Sequence, residues 1–424
     1  MPLSPSAAQS QQLRHPSIVV VGIGLDGWAG LAPAARQALT EADAVFGGDR
    51  QLDLLPATVS AQRVPWPSPM LPALPGLLEK YADQRRVVLA TGDPMFFGVG
   101  ATLARLLGPA AITVLPQVSS MSLACARLGW PVEDTEILSV VGRPVAGIHR
   151  IMQDGSRALV LLGTPDDADS IVKSLAQRGF GASVLTVLSQ LGGAAESSLR
   201  TTVDAWRSQP IDALSVLAIE FNAHEGTPSW SRLAGLPEEA FEQDGQITKY
   251  EIRALTLAAL APLPGQLLWD VGAGSGSVGI EWMRSHPACR AVAVEPRPDR
   301  LALIKANADA LGVPGLRIVA GSAPEALREL PVPDAIFVGG GVSVDGVLQA
   351  CWDALPAGAR LVANGVTLET EAVLAWWYGR EGGNLTRVAV QRAAPVGAFT
   401  GWRAAMPVTQ WSCQKPPTNR QDAT

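Results

Sequence analysis

The stretch Leu267-Leu268-Trp269-Asp270-Val271-Gly272-Ala273-Gly274-Ser275-Gly276 limits the fold of this chain more than any other. An apolar run ends in an acid, three alternating glycines follow, and residues 278–282 continue with helical character. A strand that turns into a helix around glycines brings its backbone into contact with a ligand, because no Cβ stands in the way. Such a turn belongs to an α/β fold and commonly cradles a nucleotide-like cofactor. A second Gly-rich strand exit, Ile18-Val19-Val20-Val21-Gly22-Ile23-Gly24, lies far upstream. One chain thus carries two candidate cradles, Gly22 and Gly24 in the first and Gly272 to Gly276 in the second.

The chain of 424 residues exceeds what one hydrophobic core supports, so two domains are expected. Short runs rich in Val, Ile and Leu at 18–22, 87–90, 112–115, 158–162, 183–188 and 214–220 alternate with helical patterns at 32–40, 100–107 and 166–177. A largely buried sheet is implied for residues 16–224. Residues 225–243 carry Gly, Pro, Ser and Glu without a period and read as a linker. From 244 to 412 the alternation restarts. Helical patterns at 248–260, through 283, and at 299–311, 323–330 and 368–379 flank strands at 266–271, 291–295, 316–319, 335–338 and 360–364. Residues 413–424 read as a disordered tail.

Composition excludes several classes of function. The net charge of −6 and the lack of any Lys/Arg block argue against nucleic acid as partner. Cys125, Cys289, Cys351 and Cys413 are scattered, with no CxxC pair and no His at ligand spacing, which predicts reduced thiols, a cytoplasmic protein and no metal. Residues 1–16 lack an apolar core and read as a ragged start rather than a signal peptide. No apolar run approaches the ~20 residues of a membrane span.

Two chemistries compete for the second turn. Gly274-Ser275-Gly276-Ser277-Val278-Gly279 satisfies the dinucleotide fingerprint, and Glu295 lies about 20 residues on, where an acid would hold a ribose. The same segment satisfies the Asp-x-Gly-x-Gly-x-Gly signature of class I S-adenosylmethionine (SAM) methyltransferases through Asp270, Gly272, Gly274 and Gly276. Three features favour SAM. Asp270 precedes the glycines, where a carboxylate suits an ammonium group. SAM has no pyrophosphate and needs a helix N-terminus less. Glu295, Asn307 and Gly312, then Gly321-Ser322-Ala323, follow the second-strand and third-strand layout of such enzymes.

Gly245-Gln246-Ile247-Thr248-Lys249-Tyr250-Glu251-Ile252-Arg253, the Gly turn, and Gly321-Ser322-Ala323-Pro324-Glu325-Ala326-Leu327 resemble the precorrin C-15 methyltransferase (decarboxylating) family of cobalamin biosynthesis. The resemblance implies that Thr248, Asp270, Gly272, Ala273, Gly274, Ser275, Gly276, Glu295, Ser322 and Ala323 form a SAM site in a Rossmann-like domain. Gly339-Gly340-Gly341 would face the substrate.

Upstream, Gly22 and Gly24 are joined by Thr91-Gly92-Asp93-Pro94-Met95-Phe96-Phe97-Gly98 and by Ser119-Ser120. These resemble the tetrapyrrole methylase family, in its precorrin C-5 branch, a second α/β fold of two subdomains that hold SAM between them. Carried over, Gly92, Asp93 and Met95 would approach SAM, with Ser120 beside it. Gln117-Val118 stands where that family commonly has Pro-Gly, and Ser189-Gln190 where it has Glu-Asn.

In tandem the two resemblances imply SAM-dependent methylation of precorrin-6B at C-5 and C-15, with loss of the ring C acetate as CO2, giving precorrin-8x on the aerobic route. The cobalt-precorrin equivalent of the anaerobic route is the alternative. They also imply two SAM sites, a small-molecule substrate and a homo-oligomer. Arg50, Arg143, Arg284 and Arg297 lie near expected loops, where Arg suits substrate carboxylates. No acid–base dyad is legible, and His15, His149, His224 and His286 read as surface or loop residues.

Overall fold

The computed structural model describes residues 18–212 and 214–417. The expectation for residues 1–16 lies outside them. Two compact units emerge. One runs to Gly142 and resumes from Gly155 to Glu225; the other takes Arg143–Asp154 and the chain from Gly226.

The first unit contains two five-stranded sheets. Strands β1 (Ile18–Ile23), β2 (Ala44–Gly47), β3 (Gln62–Pro65), β4 (Arg86–Thr91) and β5 (Ile112–Leu115) build a wholly parallel sheet in the order β3-β2-β4-β1-β5. Its central strands are buried on both faces, so they appear in the sequence as unbroken apolar runs. Strands β6 (Glu136–Ser139), β7 (Arg157–Leu161), β8 (Val184–Ser189), β9 (Ser197–Thr202) and β10 (Ser215–Glu220) form a mixed sheet in the order β6-β7-β10-β8-β9. The two sheets match the expected two-subdomain fold.

The second unit has a seven-stranded sheet. Strands β11 (Leu267–Val271), β12 (Arg290–Glu295), β13 (Arg317–Ala320), β14 (Ala335–Val338) and β15 (Arg360–Gly365) run parallel in the order β13-β12-β11-β14-β15. β16 (Asn384–Val388), the β17 (Gln391–Val396)–β18 (Phe399–Ala404) hairpin and β19 (Val408–Gln414) follow. β19 enters antiparallel between β15 and β16. Strand order reverses between β11 and β14, which puts the ligand crevice at the carboxyl ends of those strands. Trp352, Trp377 and Trp411 pack together at tilted angles with ring centroids 5.6–6.0 Å apart.

Several expectations are corrected. Cys413 and Gln414, read as tail, are the last residues of β19, where Cys413 pairs with Leu361 and Gln414 with Arg360; residues 418–424 lie outside the description. The stretch read as a linker packs on the second unit, burying Leu236 and Phe241. Residues 143–154 belong to that unit too, with His149 Nδ1 2.6 Å from the Asp309 carbonyl. The helix expected over 323–330 shrinks to a single turn, Glu325–Leu327, and the Pro331 carbonyl beyond it accepts from Trp269 Nε1. No helix among the described residues is long and apolar enough to cross a membrane.

Candidate functional site

At the carboxyl ends of β11, β12, β14 and β15 the second unit encloses a cavity of about 800 Å3. Thr248, Gly272, Ala273, Gly274, Ser275, Glu295, Ser322 and Ala323 all line it, together with the Gly339–Gly341 turn and Asn364. The glycines of the turn meet a hard requirement. Gly272 has φ +70°, and a Cβ there would lie 2.7 Å from the backbone of Gly340. The β11 and β14 exits therefore touch, and only glycine permits it.

Glu295 ends β12 almost fully buried. Its Oε2 accepts from Gly274 N at 2.8 Å and its Oε1 from Arg297 N at 3.2 Å. The acid expected at a ribose thus also pins the Gly turn. Ser275 Oγ is buried in the cavity wall with no hydrogen-bond partner among the described residues, which leaves it available to a bound group.

Asp270 and Gly276, expected as cofactor contacts, do not line the cavity. Asp270 lies beneath the turn, where Oδ2 accepts from Gly279 N at 2.8 Å and so ties β11 to the following helix, Ser277–Ser285. Burial, reinforced by the Glu295 charge, pushes its carboxyl up to about 7. A folded-state acid held above its unfolded value binds extra protons, so its contribution to stability is present at low pH and is lost as pH rises through about 4 to 7. Asp270→Asn keeps the bond to Gly279 N and removes the titration. Urea unfolding at a series of pH values should show a flatter profile across that window, by up to ~1.4 kcal/mol per pH unit.

The strap before helix Tyr250–Leu260 walls the cavity through Gln246 to Lys249. Arg253, fully buried, holds it. Nε meets Glu281 Oε1 at 2.5 Å, Nη1 donates to the Thr248 carbonyl at 2.5 Å, and Nη2 donates to the Leu236 carbonyl. Glu281 in turn accepts from Gly235 N at 2.6 Å and Leu236 N at 3.0 Å. Asn307 gives a second tie, donating to the carbonyls of Ser275 at 3.0 Å and Glu242 at 2.8 Å. Sequence reasoning missed Arg253 and Glu281 as a pair. Their only signals are an Arg and a Glu inside otherwise apolar helix faces.

The three cations that line the cavity are each matched by an acid. Lys249 lies 3.0 Å from Glu238, Arg300 2.9 Å from Asp244, and Arg297 3.5 Å from Asp244 while also pairing with Asp299. Arg284, grouped with possible carboxylate binders, is buried and donates to the carbonyls of Leu311, Trp230 and Ser231. Burial pulls its guanidinium down to about 10, and its role is to hold the fold.

In the first unit the exits of β1, β4 and β5 converge. A Cβ on Gly22 would lie 2.2 Å from the Gly92 carbonyl and 2.7 Å from Gln117 N. A Cβ on Gly92 would lie 3.4 Å from the Ser119 Cα and 3.6 Å from Ser120 N. Gly22, Gly92 and Ser120 are thus brought together. Asp93 Oδ1 accepts from Met95 N at 2.8 Å, which shapes the turn and leaves Met95 half exposed beside it. Ser119, rather than Ser120, caps helix Ser120–Leu128, accepting from Ser122 N at 3.0 Å. Gly24 sits one turn further on, a Cβ there lying 2.5 Å from Asp26 Oδ1. Arg50 reaches the β4 exit, 3.4 Å from Thr91 Oγ1.

His224 lies 3.7 Å from Asp204, and His286 Nδ1 accepts from Ala288 N at 3.1 Å. Neither is at either strand-exit cluster; His15 lies outside the described residues. All four cysteines are buried and unpaired.

A Gly turn closed against a neighbouring strand exit, an acid ending the next strand and a crevice at the switch in strand order define a Rossmann-type cofactor-binding domain. Comparison with known proteins specifies it. Residues 239–415 match the precorrin methyltransferase domain and residues 17–206 the tetrapyrrole (corrin/porphyrin) methylases. Over 401 residues the chain is 49% identical to a precorrin-6Y C(5,15)-methyltransferase [decarboxylating] of Mycobacterium tuberculosis, spanning 94% of this chain and 100% of that one. Over 400 residues it is 47% identical to the protein of the same name from a Sinorhizobium species, spanning 94% and 97%. The solved C-terminal domain of precorrin-6Y C5,15-methyltransferase from Rhodobacter capsulatus is 49% identical, covering 44% of this chain and 100% of that domain, with a TM-score of 0.42. The chain belongs to the family of decarboxylating precorrin-6Y C(5,15)-methyltransferases, which are SAM-dependent enzymes of cobalamin biosynthesis.

Proposed function

We propose that the chain carries two SAM sites and divides its reactions between them, C-5 methylation in the first unit and C-15 methylation with loss of the ring C acetate in the second. The observation that carries the second assignment is the cavity over β11–β15. Its cofactor side has a glycine cradle and an unpartnered buried Ser275 hydroxyl, and its other side extends beyond the Gly339–Gly341 turn. Those features fit SAM. Gly272 to Ser275, Thr248, Glu295, Ser322 and Ala323 would hold it, with Asp270 and Gly276 supporting them from behind. The first site would use Gly22, Gly24, Gly92, Asp93, Met95 and Ser120.

SAM, when bound, supplies a methyl group on a positively charged sulfur. The reduced macrocycle supplies the electron-rich carbon, so the protein needs no nucleophile of its own. Its residues bind, align and exclude water, and proximity provides much of the rate. This agrees with the lack of an acid–base dyad in the sequence. A homo-oligomer in the cytoplasm acting on a metal-free ring completes the reading.

The test uses precorrin-6 labelled at the ring C acetate carboxyl. The expected result is labelled CO2 and a product heavier by two methyl groups and lighter by one CO2. Titration with SAM should saturate at two per chain, and NAD should not compete. Retention of the label rules out the decarboxylation; turnover only of cobalt-loaded ring favours the anaerobic alternative.

A further inference from the structure

We propose that Asn364 orients the acetate carboxylate that the second unit removes, its amide N–H holding that group at the β15 side of the cavity. The inference rests on the assignment of decarboxylation to this unit. Asn364 lies in β15, on the side of β11 away from the cofactor cradle, and it lines the cavity. Val342, Val347, Val366, Met406 and Val408 line the same cavity, with Ser343 and Thr370 as neutral polar neighbours in its wall. The cations of the cavity come from other elements, the strap and the segment after β12, and each is held by a carboxylate.

The orientation of the Asn364 amide follows from its neighbours. Thr256 is fully buried on helix Tyr250–Leu260 and donates its only hydroxyl proton to the Ile252 carbonyl at 2.8 Å. Its oxygen can then only accept. Asn364 Nδ2 is 2.9 Å from that oxygen and Gln410 Nε2 is 3.1 Å from it. Gln410 Nε2 also donates to Asn364 Oδ1 at 2.9 Å. Side chains from a helix and from β19 thus set which way the amide points. One N–H is used on Thr256, and the second has no protein acceptor among the described residues.

A neutral donor suits this reaction better than a cation. The C–C bond to the carboxyl carbon breaks, CO2 departs, the electron pair enters the conjugated ring, and a proton from water completes the side-chain methyl. A guanidinium or ammonium clamped on the carboxylate would stabilise the charged starting state more than the transition state, in which that charge has moved into the ring. An amide N–H fixes direction without adding a charge that favours the starting state.

The full-length chain is assayed with carboxyl-labelled precorrin-6, following labelled CO2, methyl addition at C-5 and C-15, and SAM stoichiometry. Asn364→Ala is expected to slow CO2 release about ten- to hundredfold, the value of one hydrogen bond to a charged group. SAM stoichiometry and the thermal transitions should be unchanged, which shows that both units remain folded. Asn364→Asp, nearly isosteric, is expected to lose more near neutral pH and to recover as pH falls and its carboxyl gains a proton. Release by Asn364→Ala within twofold of the parent overturns the proposal, as does an equal, pH-independent deficit in both variants. A parent enzyme that releases no label overturns the functional reading itself.

Discussion

Arg253→Ala should destabilise the second unit by about 3–5 kcal/mol, among the largest single-residue effects in the chain. The side chain is fully buried and its guanidinium serves Glu281, the Thr248 carbonyl and the Leu236 carbonyl at once, with Cζ 4.8 Å from the centroid of the Phe241 ring. Truncation leaves the Glu281 carboxylate charged, buried and held only by Gly235 N and Leu236 N. It also frees the strap that carries Thr248 and Lys249 into the cavity. At about 2–4 °C per kcal/mol for a unit of this size, the corresponding thermal transition should fall by roughly 10 °C. SAM affinity of that unit should fall with it. The double variant Arg253→Met, Glu281→Leu removes both charges together and should regain much of the stability without regaining full SAM affinity. Calorimetry of the three proteins, with SAM titration, checks both parts. A single-variant transition within 2 °C of the parent would sink the account.

Much of the fold was legible in the sequence because parallel strands buried on both faces announce themselves. β1, β4, β11, β12 and β14 are largely apolar runs, and β1, β4, β11 and β14 exit into glycines. The same residues placed most of the C-terminal candidate site, since any chain that brings a backbone so close to a ligand needs those glycines.

What escaped was held by distant polar contacts or by exposed strands. Residues 226–243 have no period because a single 3-10 turn, Glu238–Ala240, is their one regular element; they are fixed by Glu281, Arg253 and Asn307, which lie far along the chain. β16, β17 and β18 are mostly exposed and lack an apolar alternation, so the antiparallel end of the sheet left little trace. Asp270 was assigned to the ligand because it ends a strand beside the glycines. Its contact with Gly279 N shows that an acid at a strand exit can serve the turn from beneath. Asn364 carried no motif at all. Its placement depends on Thr256 and Gln410, which only the folded sheet brings together.

Gly272→Ala should abolish SAM binding by the second unit, taking the stoichiometry from two to one in isothermal titration. Two costs combine. At φ +70° an L-residue is strained by roughly 1–2 kcal/mol. The new methyl also lies 2.7 Å from both Cα and N of Gly340, and backbone cannot rotate aside as a side chain can. Either the β11 exit or the Gly339–Gly341 turn must move, and both line the cavity. Gly274→Ala provides the contrast. Its φ of +59° imposes similar strain, but the nearest atom to its Cβ is the Gln246 carbonyl oxygen, 3.8 Å away. That variant should keep the fold and lose SAM affinity only through the methyl it places in the cradle. If Gly272→Ala bound two SAM per chain with parental affinity, the contact between the β11 and β14 exits would not be what shapes the site. If Gly272→Ala instead lost both sites, the two units would bind cofactor in a coupled way. Retention of one site places the lost one in the second unit, and loss of labelled CO2 from the same variant ties that site to the decarboxylation.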